Sequence, residues 1–296
     1  MIDRACISLN NNCNMRCRYC HFQDKQRDFD SFSFQQLKQI LDNIHAYCFN
    51  RAIKKFKLGL VGSGESMLKA DVMLEALGYI SALDYSELSI YTISNGTLFT
   101  EDLLRKFLRY RNRIKICVSL DGYEEIHNIG RQAFDRVMGG IEMYKSVFGE
   151  YPAINATATR VSYKNKERLV KFFKENGLYD VTFSILVGCA EKDLFISYED
   201  FLAFMEYVKE TGLKSRQFRD EKCYDCTMYG KLCGVGRSNI FITLEGIYPC
   251  GRFYKMSDYY LGAYDMALDE IEEHMHRFTP VQDGKCYYIE NIEVMR

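Results

Sequence analysis

The sequence has no surplus of charge of either sign. Its 296 residues include 39 basic and 40 acidic side chains, and the net charge is −1. A chain without a broad positive field cannot hold a phosphate backbone non-specifically. The composition therefore argues against nucleic acid as a partner.

Long apolar stretches and targeting signals are also missing. The first residues, Met1–Cys6, lack the basic and apolar regions of a signal peptide. No apolar run reaches the roughly 20 residues that are needed to cross a bilayer. We therefore expect a soluble, cytoplasmic protein with no membrane partner.

Cysteine, by contrast, is abundant, with 12 in the chain. The cytosol keeps thiols reduced, so metal ligation is a better explanation for them than disulfide bonds. The cysteines fall into two groups and a set of single residues. The single ones stand in apolar or helical surroundings and are expected to pack as small apolar side chains: Cys6, Cys48, Cys117 and Cys189.

Short apolar or β-branched segments alternate with segments of helical period up to about residue 210. This alternation is typical of βα units around a parallel sheet. Ser33 and Gln36 form a capping-box pattern at the first helix, and Thr100 and Ser197 indicate further helix starts. Six units are too few for a closed eight-stranded barrel, so we predict an α/β fold with a partial (β/α)6 barrel. The six strand segments are Ala5–Leu9, Phe56–Val61, Leu88–Ser94, Lys115–Leu120, Ala153–Thr159 and Val181–Leu186.

The pattern changes in the charged stretch Lys214–Lys222. Beyond it the chain has five cysteines and short strand-turn patterns around Gly246. We therefore predict two domains, a barrel over residues 1–215 and a small cysteine-rich domain over residues 216–296.

Three of the clustered cysteines follow the first strand in the order C-x3-C-x2-C, at Cys13, Cys17 and Cys20. Three thiolates this close in sequence can hold one iron–sulfur cube and leave one iron open to a ligand other than protein. A zinc site would need a fourth ligand nearby, and His21 is too close to Cys20 to complete a tetrahedron comfortably. The spacing favours an iron–sulfur cluster.

This segment, with Tyr19 before its last cysteine, resembles the signature of the radical S-adenosylmethionine (SAM) superfamily. The resemblance implies a [4Fe–4S] cluster whose open iron is bound by SAM, and reductive cleavage of SAM to a 5′-deoxyadenosyl radical. It also implies an external reductant such as flavodoxin or ferredoxin. Tyr19 is included among the expected cofactor contacts.

The segment after the second strand, Gly62–Ser66, is similar to the Gly-Gly-Glu-Pro segment with which this superfamily holds the SAM amino group. Ser63 replaces a glycine of that pattern, and Ser66 replaces the proline. The resemblance implies that Gly64 and the carboxylate of Glu65 face the SAM ammonium group. The alternative is an ordinary glycine-rich turn between a strand and a helix.

Two later strand ends add to the resemblance. Ser94–Gly96 resembles the Thr-Asn-Gly turn of the superfamily, which implies a cofactor contact for Asn95. Ser119–Gly122, followed by His127 and Arg131, resembles a Ser-Leu-Asp-Gly…His…Arg stretch of the subgroup with additional clusters. The resemblance implies that Ser119 and Asp121 lie near the SAM ribose and carboxylate. We expect His127 and Arg131 to be structural.

The fifth strand carries polar residues on one face. Alternation with a period of two places Asn155, Thr157 and Thr159 on the same side of the strand, and Arg160 follows directly. Polar groups inside a barrel need partners. We expect SAM to be that partner, with Thr157 and Arg160 among its contacts.

The second cysteine group resembles the hairpin of SPASM and twitch domains in radical SAM enzymes. Cys233 is followed by Gly246–Cys250, in which the gap between glycine and cysteine is one residue shorter than the family's. A full SPASM domain has more cysteines than this chain offers, so the resemblance implies one auxiliary [4Fe–4S] cluster. A structural zinc ion bound by four thiolates is the alternative. The expected ligands are Cys226, Cys233, Cys250 and Cys286, with Cys223 as a substitute.

The resemblance connects such auxiliary clusters with peptide crosslinking, sulfatase maturation and dehydrogenation of small molecules. In sulfatase-maturing enzymes an Asp follows the hairpin cysteine, whereas Gly251 follows Cys250 here. We therefore predict an enzyme that forms a crosslink or thioether in a ribosomally made peptide. The few residues before Cys13 have no room for a leader-recognition domain, which either counts against a peptide maturase or implies a separate recognition protein.

Two alternatives remain at this point. One is a twitch-type dehydrogenase or epimerase that acts on a small polyol or amino sugar. The other is a regulatory protein that binds a cluster or zinc without catalysis. Glu65 and Asp121 argue against the regulatory protein, because a scaffold without activity has no need of charged groups at strand ends. The sequence indicates no catalytic acid or base.

Overall fold

The computed structural model describes residues 1–22, 31–83, 85–188, 191–218, 229, 232–282 and 284–292. Eight strands in these ranges form one sheet. The strands are β1 (Arg4–Ile7), β2 (Phe56–Gly59), β3 (Leu88–Ser94), β4 (Ile114–Ser119), β5 (Ala153–Ala158), β6 (Val181–Ile185), β7 (Asn239–Thr243) and β8 (Gly246–Tyr248).

The first six strands are parallel and lie side by side in chain order from β6 to β1. This arrangement confirms the six predicted βα units and the partial barrel. Most strands end one or two residues before the predicted position. The residues just beyond those ends form the edge that carries the candidate site. Ser8, after β1, still donates its backbone N–H to the carbonyl of Ile242 in β7 at 2.9 Å.

Helices connect the parallel strands and cover the sheet. In α1, Leu37, Ile40, Leu41 and Ile44 are all buried, as their helical spacing predicts, and the capping box at Ser33 is confirmed. None of the helices in the described part of the chain combines the length and apolar character needed to cross a bilayer. The helices are α1 (Phe34–Asn50), α2 (Ala70–Ala82), α3 (Glu101–Leu108), α4 (Glu124–Gly130), α5 (Phe134–Phe148), α6 (Arg160–Lys164), α7 (Lys166–Glu175), α8 (Tyr198–Glu210), α9 (Leu268–Met275) and α10 (Tyr287–Asn291).

The last two strands extend the barrel sheet beyond β1. Strand β7 pairs with β1 in parallel, and β8 returns antiparallel to β7. The hydrogen bonds of one sheet therefore cross the predicted boundary at residue 215. The division into two domains stays a prediction.

Two of the single cysteines pack in the interior. Cys48 and Cys117 are buried, as their apolar surroundings predict. Cys6 is half-buried, with its Sγ 3.3 Å from the Tyr91 hydroxyl. Cys189 lies outside the described residues.

Candidate active site

Four loop segments meet at the carboxyl ends of β1 to β4, the edge at which barrels of this kind assemble their active sites. They are the Cys13–Cys20 loop, Gly62–Ser66, Ser94–Gly96 and Ser119–Gly122. Hydrogen bonds join the four segments to one another. The sequence prediction that these segments lie together is therefore consistent with the fold.

The Cys13–Cys20 loop holds its three cysteines at half-buried positions. Burial raises the pKa of Cys17, the positive charge of Arg131 opposes that rise, and the thiols of Cys20 and Cys13 add to it. The three sulfurs are thus close enough to affect one another electrostatically. Arg131 favours the thiolate form, which is the form that binds a metal.

Tyr19 fastens this loop to the end of β4. The ring is buried, and its hydroxyl donates a hydrogen bond to Oδ2 of Asp121. The backbone N–H of Arg18 donates to the carbonyl of Gly130 at 2.7 Å. A Cβ atom on Gly130 would lie 2.3 Å from the Tyr19 ring, so this close approach requires glycine. The predicted contact of Tyr19 with SAM stays a prediction.

Asp121 is the centre of a buried network of charged and polar groups. Its Oδ1 accepts hydrogen bonds from Nε of Arg131 at 3.0 Å and from the backbone N–H of Thr157 at 2.9 Å. Its Oδ2 accepts the hydrogen bond from Tyr19. Burial opposes the charge of Arg131, but the nearby Asp121 raises the pKa of the guanidinium well above its ordinary value. The carboxylate therefore ties three segments together, and the predicted SAM contact of Asp121 stays a prediction.

His127 supports the same loop as a neutral side chain. Its Nδ1 accepts the backbone N–H of Asp121 at 3.3 Å, and its Nε2 lies 3.1 Å from the carbonyl of Gln132. This pair of contacts requires the proton on Nε2. Burial lowers the pKa of His127 to about 4. The geometry fits the structural role expected for this residue.

Glu65 ties the Gly62–Ser66 segment to the end of β3. Oε1 accepts the N–H of Met67 at 3.0 Å, and Oε2 accepts the N–H of Asn95 at 2.8 Å. Burial raises the pKa of Glu65, and the N–H groups of Asn95 and Met67 oppose that rise. Two backbone donors leave further lone pairs on the carboxylate. A contact with the SAM ammonium stays a prediction.

The two departures from the Gly-Gly-Glu-Pro pattern have hydrogen-bonded positions. The Ser63 hydroxyl lies 2.8 Å from that of Ser8, and the Ser66 hydroxyl lies 2.8 Å from that of Thr92. Gly64 keeps the function of a small residue, since a Cβ there would lie 2.4 Å from the carbonyl oxygen of Asn12. The segment therefore lies directly against the chain that leads into the cysteine loop.

The other predicted SAM contacts differ in exposure. The side-chain amide of Asn95 donates to Oδ1 of Asn14 at 2.8 Å and so reaches the cysteine loop. Ser119 is buried, and in the described part of the chain its hydroxyl makes no hydrogen bond. Thr157 is half-buried beside Arg131, with 3.4 Å between its Oγ1 and Nη2 of the arginine. Arg160 is exposed at the start of α6.

The carboxylate of Glu65 gives a first prediction. Glu65→Gln should weaken SAM binding, because it removes the carboxylate charge from the hydrogen bond predicted to the SAM ammonium group. A hydrogen bond to a charged group contributes about 1.5–3 kcal/mol, which corresponds to roughly ten- to a hundredfold in affinity. The SAM dissociation constant measures this, with the exposed Glu75→Gln of α2 as a control. An unchanged SAM dissociation constant in Glu65→Gln would show that the Gly62–Ser66 segment does not contact SAM.

The described C-terminal cysteines hold half-buried positions, and Cys233 and Cys286 are close enough to interact electrostatically. Burial raises the pKa of Cys233, the N–H groups of Tyr287 and Val235 lower it, and the thiol of Cys286 raises it. Sγ of Cys250 accepts the N–H of Arg252 at 3.5 Å. Hydrogen bonds from backbone N–H groups to sulfur stabilise a thiolate, so Cys233 is suited to bind a metal. Cys223 and Cys226 lie outside the described residues.

The two cysteine segments are in direct contact. Nε2 of His21, next to Cys20, lies 3.0 Å from the carbonyl oxygen of Arg252, two residues after Cys250. The ring of Phe22 stacks on that of Phe241 in β7, with 6.3 Å between the ring centroids. Residues that flank the first cysteine group therefore pack against residues of the second.

No group of three or more His, Cys, Asp and Glu side chains converges on a single metal ion in the described ranges. A cube of iron and sulfur is wider than one ion and needs its thiolates farther apart. The sequence alone did not indicate Asn14, Gly130 or Arg252 as site residues. Asn14 and Arg252 stand within two residues of a predicted cysteine ligand, a position that could have drawn attention to them.

The family model of the radical SAM superfamily matches residues 7–157. The chain belongs to the radical SAM superfamily. It is therefore an enzyme that uses SAM and a [4Fe–4S] cluster, as the C-x3-C-x2-C segment and the partial barrel predict. The matched range contains the first cysteine group and the ends of β1 to β4.

Known relatives of this radical SAM chain include maturases. The cysteine-type anaerobic sulfatase-maturating enzyme of Clostridium novyi (strain NT) is 25% identical over 286 residues, which cover 85% of this chain and 73% of the relative. This relative has one of the activities that the resemblance connects with SPASM and twitch domains, and membership of that subgroup stays a prediction.

Two solved structures share the fold. Native anSMEcpe with bound AdoMet and Cp18Cys peptide has a TM-score of 0.74 at 19% identity, covering 97% of this chain and 86% of that chain. SuiB of Streptococcus suis bound to precursor peptide SuiA has a TM-score of 0.68 at 15% identity, covering 94% and 67%. At these identities the likeness establishes the fold of the radical SAM chain and not its substrate.

Proposed function

We propose that this radical SAM enzyme oxidises a ribosomally made peptide to form a crosslink or thioether, with an auxiliary [4Fe–4S] cluster in its C-terminal part. The observation that carries the proposal is the contact between His21 and the carbonyl of Arg252. It joins the segment proposed to bind the radical-forming cluster to the hairpin of the second cysteine group. This proximity supports the transfer of an electron from a substrate radical to a cluster in the second group.

The cysteines of the second group suit the auxiliary cluster. Cys233 lies beside Cys286 and receives two backbone N–H groups, and Cys250 receives a third. Iron–sulfur clusters are held by thiolates, and hydrogen bonds to the sulfurs help set their potentials. We propose Cys226, Cys233, Cys250 and Cys286 as the ligands, with Cys223 as the substitute.

When bound, SAM and its cluster supply a 5′-deoxyadenosyl radical, and the auxiliary cluster supplies an electron acceptor. A substrate carbon gives one hydrogen atom to that radical and then gives up one electron. A thiol or another X–H group of the peptide loses a proton as the new carbon–sulfur or carbon–X bond closes. The peptide therefore loses two hydrogens for each 5′-deoxyadenosine formed.

Gly251 favours a peptide maturase over a sulfatase-maturing enzyme. By the resemblance, an Asp stands at this position in sulfatase-maturing enzymes. A Cβ on Gly251 would lie 3.3 Å from the Phe241 ring and 3.5 Å from that of Phe22. The surroundings are thus aromatic rather than acidic. The solved structure of SuiB with its precursor peptide offers a precedent for a peptide substrate on this fold.

The experiment is an anaerobic reaction of the reconstituted enzyme with SAM, a flavodoxin or ferredoxin reductant, and precursor peptides encoded beside the gene. A separate leader-recognition protein is added where one is encoded nearby. Mass spectrometry should show a peptide that has lost two hydrogens. The proposal would be contradicted if the peptide stayed unchanged while the enzyme turned over a small polyol or amino sugar from a pathway encoded beside the gene. A sulfatase-derived cysteine peptide serves as the comparison substrate.

A further inference from the structure

Arg252 lies between the end of β6 and the second cysteine group. Nη1 of its guanidinium donates a hydrogen bond to the carbonyl of Val187 at 3.0 Å. Its backbone N–H donates a hydrogen bond to Sγ of Cys250, and its backbone carbonyl accepts one from Nε2 of His21. The side chain thus sits where the parallel sheet, the radical-forming segment and the auxiliary hairpin meet.

Most N–H groups of the Arg252 guanidinium make no hydrogen bond within the described part of the chain. Within the described part of the chain, Val187 is its one side-chain hydrogen-bond partner, and no carboxylate forms an ion pair with it. The residue is half-buried. A cation withdrawn from water without a counter-ion is unfavourable. Its planar N–H groups match a carboxylate in a two-pronged contact.

An arginine of the first cysteine group, Arg18, already has acidic partners. Arg18, in the Cys13–Cys20 loop, donates to Glu191 at 2.6 Å and to Asp193 at 3.0 Å. Both acids lie on the loop after β6, and they satisfy Arg18 at the surface. Arg252 differs from Arg18 in that no carboxylate of the described residues pairs with its guanidinium.

We propose that Arg252 binds a carboxylate of the peptide substrate, either an acidic side chain or the C-terminal carboxylate. This inference rests on the proposed peptide substrate and deepens it, since it assigns an acidic group to the peptide near the reacting residue. The hydrogen bond to Val187 orients the guanidinium, and the contacts of its backbone hold it against both cysteine segments. Arg252 is then a specificity-determining residue of the oxidation.

The test uses the SAM-loaded holoenzyme and small probes of defined charge. N-acetylglutamate α-amide offers a side-chain carboxylate, N-acetylglutamine offers a C-terminal carboxylate, and N-acetylglutamine amide offers neither. We expect one of the two acids to bind and to protect Arg252 from phenylglyoxal, as read by peptide mass mapping, whereas the amide should do neither. Arg252→Gln should lower the affinity of that acid roughly ten- to a hundredfold, the range of a charged hydrogen bond.

Controls separate this site from the SAM site and from misfolding. Arg18→Gln should leave probe affinity unchanged, and Arg252→Lys should restore part of it. SAM affinity should be the same in Arg252→Gln, because a parallel loss would show that Arg252 binds SAM instead. Protection of Arg252 from phenylglyoxal is measured in the unmodified enzyme, so this result does not depend on whether the variant folds. Equal behaviour of acids and amide would overturn the inference, whereas probe binding without peptide oxidation would reject only the proposed function.

Discussion

Cys17→Ala is expected to abolish the formation of 5′-deoxyadenosine from SAM and dithionite, down to the level of a reaction without enzyme. The cluster that binds SAM has three protein ligands, so the loss of one leaves too few thiolates to hold it. Cys17 is also the cysteine on which the field of Arg131 acts. Cys13→Ala and Cys20→Ala should give the same result. The loss should be far larger than that of any substitution around the SAM contacts.

The same variants should keep the second cluster. The C-terminal cysteines lie outside the Cys13–Cys20 loop, so iron should fall from about eight to about four per chain, the difference of one four-iron cluster. Cys48→Ala is the matched control, since Cys48 is buried in α1 away from both groups. It should keep all iron and full SAM cleavage. If any of the three variants still formed 5′-deoxyadenosine, the substituted cysteine would not be a ligand of the SAM-binding cluster.

Arg131→Leu is expected to destabilise the protein strongly and to loosen the cysteine loop. Arg131 and Asp121 form an ion pair at 3.0 Å, with side chains 16% and 3% exposed. Removing one partner of a buried pair costs about 3–5 kcal/mol, because the other charge stays buried without compensation. Asp121 would then hold only Tyr19 and the N–H of Thr157. Urea unfolding of the metal-free protein measures the cost.

A surface pair provides the control for this prediction. Arg105→Leu breaks an ion pair with Glu101 in which both side chains are more than 60% exposed. Its cost should stay below about 1 kcal/mol, as for other exposed pairs. Arg131→Leu should also change the electron paramagnetic resonance signal of the reduced, SAM-bound cluster, which Arg105→Leu should leave alone. Equal stabilities of the two variants would show that the buried network contributes little.

The barrel was readable from sequence because short apolar or β-branched segments alternate with clear helix starts. In β6 four of the five residues are buried, whereas the helices around the sheet have one apolar face, so the two kinds of segment differ in sequence pattern. Ser33 and Thr100 mark helix starts with side chains that accept backbone N–H groups, as predicted. Such signals involve residues close together in the chain, so they can be recognised in a single sequence.

The connections between segments could not be predicted in the same way. The pairing of β7 with β1 joins residues more than 230 positions apart in the chain, and no pattern in either strand specifies it. Likewise, the sequence indicated Glu65 as a candidate ligand, but it could not show that Met67 and Asn95 occupy its oxygens. The free donors of Arg252 depend on what the fold places beside it. Such facts require the folded chain.

The most direct test of the account is the metal content of anaerobically reconstituted protein, measured for iron and zinc together. Two four-iron clusters predict about eight irons and no zinc per chain. Cys233→Ala should lower iron to about four and preserve SAM cleavage, because the first cluster and its strand-end contacts do not use this cysteine. Substitution suits this test better than truncation, since β7 belongs to the sheet beside β1. A content of about four irons and one zinc in the unmodified protein would contradict the auxiliary cluster and, with it, the proposed oxidation.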